Sequence, residues 1–382
     1  MLQAEQIAVA KRLFEYIDSD ETATSDNVYR QPVSEYIDKD IAEKEKDLFF
    51  RKSPICVGLS NLLPQSGSYR THDLSGQPLL LTRNNAGTFR CFLNVCRHRG
   101  ARVAAGCGEI RAFSCPYHAW TYDIEGKLIA RPEEQSFETI GRSLNSLTSV
   151  PALEKNGLLW VIPTPMREPD LDEHLDGICT DLAGFSLSGF HHYESRTLTR
   201  KMNWKLLLDT FLESYHFCVL HRNTICSIFY DNLQTFDTWG KHFRLVSPRR
   251  TIEKLRQTKN EEIELLPHMV GIYVLFPNTV LVWQLDHIEL WQIFPPENAP
   301  NESCVQVSLY SPEPCDSPEA NSHWKANMDL VVNVVENEDF PVGEGIQKSF
   351  YSGAQNEIVF GRNEPALAFF HEKVTSSLKA PA

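Results

Sequence analysis

Cys96-Arg97-His98-Arg99-Gly100 and, further on, Cys115-Pro116-Tyr117-His118-Ala119-Trp120 form the stretch on which the reading of this chain turns. As a pattern it is Cys-x-His-x16-Cys-x2-His, so each half offers one thiolate and one imidazole to a single centre. Two kinds of centre take such a donor set. In a two-iron, two-sulfur cluster, His replaces Cys on one iron and raises the reduction potential. A tetrahedral zinc site accepts the same four groups, but zinc modules usually place Cys with Cys and His with His. The interleaved order here favours the iron cluster over zinc.

Outward from these pairs, the texture is that of short strands. Leu79-Leu80-Leu81-Thr82, then Asn84-Asn85-Ala86-Gly87, then Phe89-Arg90-Cys91-Phe92-Leu93 reads as a β-hairpin leading into Cys96. The second pair runs into Trp120-Thr121-Tyr122-Asp123, a turn at Glu125-Gly126-Lys127, and Leu128-Ile129. Both pairs are therefore expected on loops at hairpin tips, where strands hold exposed ligands rigidly. A strand at Gly157–Ile162, closed by Pro163 and Pro165, ends a small all-β domain over 51–165. Met166 to Glu173 reads as a connection to the remaining domain, 166–382. Before all this, residues 1–50 show helical spacing at Ile7, Val9, Ala10, Leu13, Phe14 and Ile17, and are expected to pack on the larger domain.

A second constellation lies in that larger domain. Asn203 to His216 is an apolar run without Gly or Pro, and His221 follows five residues later. On a continuous helix Asp209, Glu213 and His216 would share one face, at i, i+4 and i+7. Charged groups in such an apolar setting are costly unless a metal or a counter-charge meets them. Two His and one carboxylate form the ligand set of non-haem iron oxygenases. The carboxylate must come from elsewhere, and Glu336-Asn337-Glu338-Asp339, ahead of a helix-forming run through Gly345 to Phe350, supplies candidates among which spacing does not choose.

Four strand-like runs lie between these residues: Gly271–Phe276, Thr279–Trp283, Ile288–Phe294 and Cys304–Tyr310. Tight connections predict an antiparallel meander, curved over helices to enclose a pocket that Tyr273, Phe276, Trp283 and Trp291 are candidates to line. His242, His268, His287 and His323 are read as structural.

Composition narrows the function classes. The 382-residue chain has 42% hydrophobic residues and a net charge of −13, from 37 basic and 50 acidic side chains, which speaks against nucleic acid as partner. No apolar run is long enough for a membrane span, and the opening Met1-Leu2-Gln3-Ala4-Glu5-Gln6 lacks signal-peptide character, so a cytoplasmic location without membrane attachment is expected. Of the ten Cys, Cys56, Cys91, Cys179, Cys218, Cys226, Cys304 and Cys315 are read as buried free thiols. Gly106-x-Gly108 and Gly343-x-Gly345 lack the third glycine and strand-to-helix setting of a dinucleotide fingerprint, so reducing equivalents must arrive from another protein.

Together, the Cys-Pro-Tyr-His-Ala-Trp context with Cys96 and His98, the Asn203-Trp204-Lys205 start, Glu213-x-Tyr215-His216-x4-His221, and Glu338-Asp339 with Gln347 resemble the oxygenase (alpha) component of Rieske non-haem iron oxygenases. That group includes ring-hydroxylating dioxygenases and the monooxygenases of carnitine and glycine betaine. The resemblance implies an α+β fold in which a small all-β Rieske domain is inserted in a catalytic domain of the helix-grip type, an antiparallel curved sheet wrapped on helices. It implies a Rieske [2Fe-2S] cluster on Cys96, His98, Cys115 and His118, and a mononuclear Fe(II) on His216, His221 and Asp339. It further implies a homotrimer in which the cluster of one subunit feeds the iron of its neighbour through Glu213, with Asp209 also in the catalytic machinery. An NAD(P)H-dependent reductase, with or without a ferredoxin, would deliver electrons for O2 activation and hydroxylation of a small organic molecule. Glu213, where many ring dioxygenases carry Asp, leans the expectation toward monooxygenation or N-demethylation of a quaternary-amine-like substrate. The alternatives are cis-dihydroxylation of an aromatic ring and, in a different class, a Rieske electron carrier without catalytic iron.

Overall fold

The computed structural model describes residues 1–165, 171–175, 177–297 and 299–380. Contacts divide the chain into two units, one of Asp47–Leu171 and one of Met1–Lys46 with Asp172–Ala382. Residues 166–170, where the connecting stretch was expected to begin, lie outside the described residues, and Leu171–His174 forms a short helix.

Among the described residues, the smaller unit consists of three antiparallel sheets. The expected hairpin is present: Leu79–Arg83 pairs with Phe89–Leu93, and Gly87 takes the positive φ of +77° that closes the turn. Phe89–Leu93 leads into the loop of Cys96, and the loop of Cys115 is the tip between Ala112–Ser114 and Thr121–Asp123. Phe113, Trp120, Tyr122, Leu128 and Leu147 form a shared core beneath the two loops.

In the larger unit one seven-stranded antiparallel sheet dominates. Its strands are β1 (His191–Arg200), β2 (Thr235–Trp239), β3 (His242–Pro248), β4 (Met269–Leu275), β5 (Thr279–Gln284), β6 (His287–Phe294) and β7 (Ser303–Ser311), in the order β1-β7-β6-β5-β4-β3-β2. The expected meander is β4 to β7, and the other three strands extend it on both sides. The helix Gln3–Ser19 buries Val9, Ala10 and Leu13. It is tied to the sheet by Arg12 and Asp237 and by Glu5 and the fully buried Arg244.

The continuous helix expected from Asn203 to His216 does not form. Helix α1 (Trp204–Asp209) stops, turns follow, and a short α2 (Phe217–Leu220) comes after His216. Its start is set by Asn203, whose side chain accepts the Lys205 N–H at 2.9 Å, satisfying an orphan donor of the first turn. Lys205 pairs with buried Glu45, which also accepts the Trp204 indole N–H at 2.8 Å. Further on, α3 (Pro318–Val334) passes through one widened π-turn, Val335–Asp339, into α4 (Phe340–Phe350). Pro341 has no N–H to continue the regular ladder there, and such π-turns frequently mark functional sites. Gln347 on α4 accepts the Asn203 N–H at 2.8 Å, which fastens the acid-bearing helix to the start of α1. Among the described residues, no helix is long and apolar enough to cross a membrane.

Cysteine pairing departs from expectation at one place. Cys218 and Cys226 form a disulfide rather than remaining free thiols, because the turns after α1 bring them together around His221. Cys56 and Cys91 are buried thiols as expected, whereas Cys179, Cys304 and Cys315 are only partly buried.

Candidate active site

The two loops of the smaller unit repeat one geometry. The Cys96 N–H donates to Ala101 O and the Gly100 N–H returns to Cys96 O; likewise Cys115 N–H donates to Trp120 O and Ala119 N–H returns to Cys115 O, all at 2.8–2.9 Å. Gly100 and Ala119, each four residues after its Cys, both take positive φ, +81° and +55°. Each Cys is thereby turned inward and each His outward. Cys96 and Cys115 are buried, and burial raises the Cys96 thiol above its ordinary value, with Cys115 adding to the rise against the lowering effect of Tyr122. The His98 and His118 rings lie 4.5 Å apart, with Trp120 stacked on His98 at 4.8 Å. Burial lowers the His98 pKa, and His118 and Arg99 add to it, while its Nδ1 is buried without a hydrogen-bond partner among the described residues. Two inward thiols and two paired imidazoles, one with a bare nitrogen, fit a cluster whose irons take two S and two N ligands.

In the larger unit, His216, His221 and Asp339 bring one ligand atom each to within 4.8 Å of one another. The two Nε2 atoms are 3.1 Å apart, and Asp339 Oδ1 lies 3.6 Å from His216 Nε2 and 3.3 Å from His221 Nε2. Each ring is aimed from behind by a carboxylate: His216 Nδ1 bonds Glu213, and His221 Nδ1 bonds Glu338. With both Nδ1–H groups donating, both Nε2 atoms present lone pairs to the same point as a carboxylate. Without a cation that convergence is repulsive, and with one it is the carboxylate–histidine–metal arrangement. Burial lowers the His221 pKa, but Asp339 and Glu338 outweigh it and the net shift is upward. Glu338 also accepts from the Thr224 hydroxyl at 2.9 Å, so adjacent acids of the π-turn serve opposite sides of His221.

Asp209 is not on a common helical face with Glu213 and His216, because α1 ends there. It is buried, accepts from Tyr36 Oη at 2.8 Å and is paired with His371 Nε2 at 2.9 Å. The turns nonetheless return Glu213 and His216 to the same small cavity that Asp209 and Glu364 line, of about 180 Å³.

A larger cavity of about 360 Å³ lies on the other side of the triad. Its sheet wall follows the two-residue period of strands, with Val270 and Ile272 on β4, Val282 and Gln284 on β5, and His287, Glu289 and Trp291 on β6. Its helical wall is the stripe Asn327, Leu330, Val331 and Val334 of α3. Phe211, Phe217 and Phe229 complete the aromatic lining with Trp291. Of the four aromatics expected there, only Trp291 lines it. Trp283 packs on Phe185 and Phe190, Tyr273 donates to Asp181, and Phe276 lies against Phe370. His287 is a wall residue rather than a purely structural one, whereas His242 is structural, bridging Phe276 N and His174 O. Glu289, Arg249 and Gln284 carry no motif and were missed by sequence reasoning; alternation along β6 was the available signal for Glu289.

A two-loop Cys/His centre and a His-His-carboxylate centre behind an apolar cavity together define the class of Rieske-type non-haem iron oxygenases. The chain matches the Rieske [2Fe-2S] domain over residues 53–151 and the ring hydroxylating alpha subunit (catalytic domain) over 187–380, and it belongs to that alpha-subunit family. The carnitine monooxygenase oxygenase subunit of Acinetobacter pittii is 28% identical over 232 residues, 59% of this chain and 60% of that protein. Putrescine 2-hydroxylase of Ralstonia nicotianae is 33% identical over 192 residues, 50% of this chain and 49% of that protein. The matched region thus spans about half to 60% of these curated relatives. In fold, the quaternary ammonium Rieske monooxygenase CntA in complex with L-carnitine superposes with a TM-score of 0.79 at 20% identity, covering 92% of this chain and 96% of that one. Naphthalene 1,2-dioxygenase from Rhodococcus superposes at 0.76 with 17% identity, covering 98% and 99%.

Proposed function

We propose that the chain is a terminal oxygenase that uses O2 and electrons relayed from NAD(P)H to hydroxylate a small amine cation of the quaternary-ammonium type. The observation that carries this reading is the convergence of His216 Nε2, His221 Nε2 and Asp339 Oδ1 beside an apolar cavity. In this reading His216, His221 and Asp339 hold ferrous iron, and Cys96, His98, Cys115 and His118 hold the cluster. Bound there, the cluster supplies single electrons and the iron supplies open coordination positions for O2.

The protein's own groups have separate tasks. Glu213 and Glu338 orient the two imidazoles from their Nδ1 sides, which turns both Nε2 atoms toward the metal. The apolar walls exclude water from the reacting end of the substrate. Glu213, which lines the cavity of Asp209 together with His216 and Asp339, relays electrons from the cluster of a neighbouring subunit in a homotrimer. A separate reductase, directly or through a ferredoxin, loads the cluster. We place the reaction in the cytoplasm.

Carnitine and glycine betaine monooxygenases among the relatives support the amine reading, as does Glu213 in place of Asp. The test is anaerobic ferrous loading followed by turnover of a quaternary-amine panel with a surrogate reductase, read by NADH oxidation and product mass. About three irons per chain and an oxidised or demethylated amine are expected. A cis-diol from an arene would transfer the enzyme to the dioxygenase reading, and two irons with no turnover would make it an electron carrier.

A further inference from the structure

We propose that Glu289 is the group that recognises the positive charge of the substrate, at a cation-binding corner of the larger cavity. The proposal rests on the amine reading above and adds to it a residue and a binding mode.

Glu289 stands near the middle of β6 with 4% of its surface exposed, and it lines the cavity. Its Oε2 accepts the Trp291 indole N–H at 3.0 Å. Its Oε1 is buried and has no hydrogen-bond partner among the described residues. A carboxylate oxygen without a hydrogen bond in an apolar setting is costly, so such a group is retained where positive charge meets it. Of the two cationic side chains nearby, Arg249 is engaged elsewhere and His287 is shared between Glu289 and Asp286. Arg249 donates to Gln284 Oε1 at 2.7 Å and to Met269 O at 3.4 Å, and its guanidinium lies over the Phe229 ring at 4.9 Å. His287 is hydrogen-bonded through Nδ1 to Asp286 at 3.1 Å, and its Nε2 forms an ion pair with Glu289 Oε1 at 3.8 Å. Burial lowers the His287 pKa, but Glu289 and then Asp286 outweigh it, so one imidazolium stands against two carboxylates.

The aromatic surroundings fit the same ligand. Trp291 and Phe211 present rings 5.2 Å apart to the cavity, and donation of the indole N–H to a carboxylate enriches the Trp291 π-face. An ammonium group seated there meets a carboxylate and the faces of two aromatic rings, the combination that binds quaternary and protonated amines. His216, His221 and Asp339 line the same cavity, so a substrate anchored by its charge at Glu289 extends toward the triad.

The test uses the full chain with its irons loaded anaerobically, and isothermal titration calorimetry with choline and its uncharged carbon isostere 3,3-dimethylbutan-1-ol. Wild type should prefer choline by at least about 30-fold, the scale of a buried charge partner. In Glu289→Gln, whose amide oxygen still accepts from Trp291, the preference should fall to within about threefold, with the circular dichroism spectrum and melting temperature unchanged. Protonated 2-(dimethylamino)ethanol should follow choline. Equal binding of choline and its isostere by wild type, or an undiminished preference in Glu289→Gln, would overturn the proposal. Amine turnover together with an undiminished preference would sink the corner but leave the amine reading standing. A cis-diol product alongside a Glu289-dependent choline preference would do the reverse.

Discussion

The Nε2 atoms of His216 and His221 face each other at 3.1 Å while a carboxylate, Glu213 or Glu338, holds each ring from its Nδ1 side. Two imidazole nitrogens and the Asp339 carboxylate thus converge on one point, an arrangement that a cation between them would stabilise.

Replacing His216 with Ala removes one of the three groups proposed to hold the iron and none of the groups around Cys96 and Cys115. Iron analysis should fall from about three to about two per chain. The visible absorption of the cluster should persist while substrate oxidation is lost. Bleaching of that absorption would mean the two centres are interdependent.

Glu338→Gln keeps the size of the side chain but removes the charge behind His221. Ligand-supporting carboxylates of this kind contribute roughly 10- to 100-fold to metal affinity. Chelator competition should therefore extract the mononuclear iron correspondingly more easily, with the cluster unaffected.

Gln347 accepts the buried Asn203 N–H, and an apolar replacement leaves that donor unsatisfied. Gln347→Leu should cost about 1–3 kcal/mol in urea unfolding. Because α4 continues from the π-turn with Asp339, the variant should also bind iron less tightly.

Acid should destabilise the larger unit through His242. Burial lowers its pKa from 6.5 to about 4, and its Nδ1 accepts the Phe276 N–H. Between those values the folded state binds fewer protons than the unfolded one. Stability is therefore held above about pH 6.5, declines as pH falls and levels off near pH 4, a loss of roughly 3 kcal/mol. Melting temperatures across that range check the sign, and His242→Gln should flatten the slope.

Much of this was legible along the chain. The Cys/His pairs, the strands of β4 to β7 and the spacing of His216 and His221 depend on short-range patterns, which survive in a linear reading. The apolar run from Trp204 to His216 misled, because helical periodicity does not reveal that the chain turns after Asp209. Three of the four aromatics expected in the cavity belong to the core. An aromatic residue in a strand gives the same signal whether its face is packed or open.

By itself the sequence determined the donor types, their order and the strand-rich frame, since these follow from residue chemistry and local backbone preference. It left the acid ligand open among Glu336, Glu338 and Asp339, and the resemblance alone pointed to Asp339. Only the tertiary structure decided that Asp339 meets both imidazoles while Glu338 stands behind one of them. It also decided that Asp209 is held by Tyr36 and His371, and that Glu289 lines the same cavity as the triad. These juxtapositions join residues far apart in the chain. They arise when a curved sheet and a π-turned helix close on a common interior, and no local pattern encodes them.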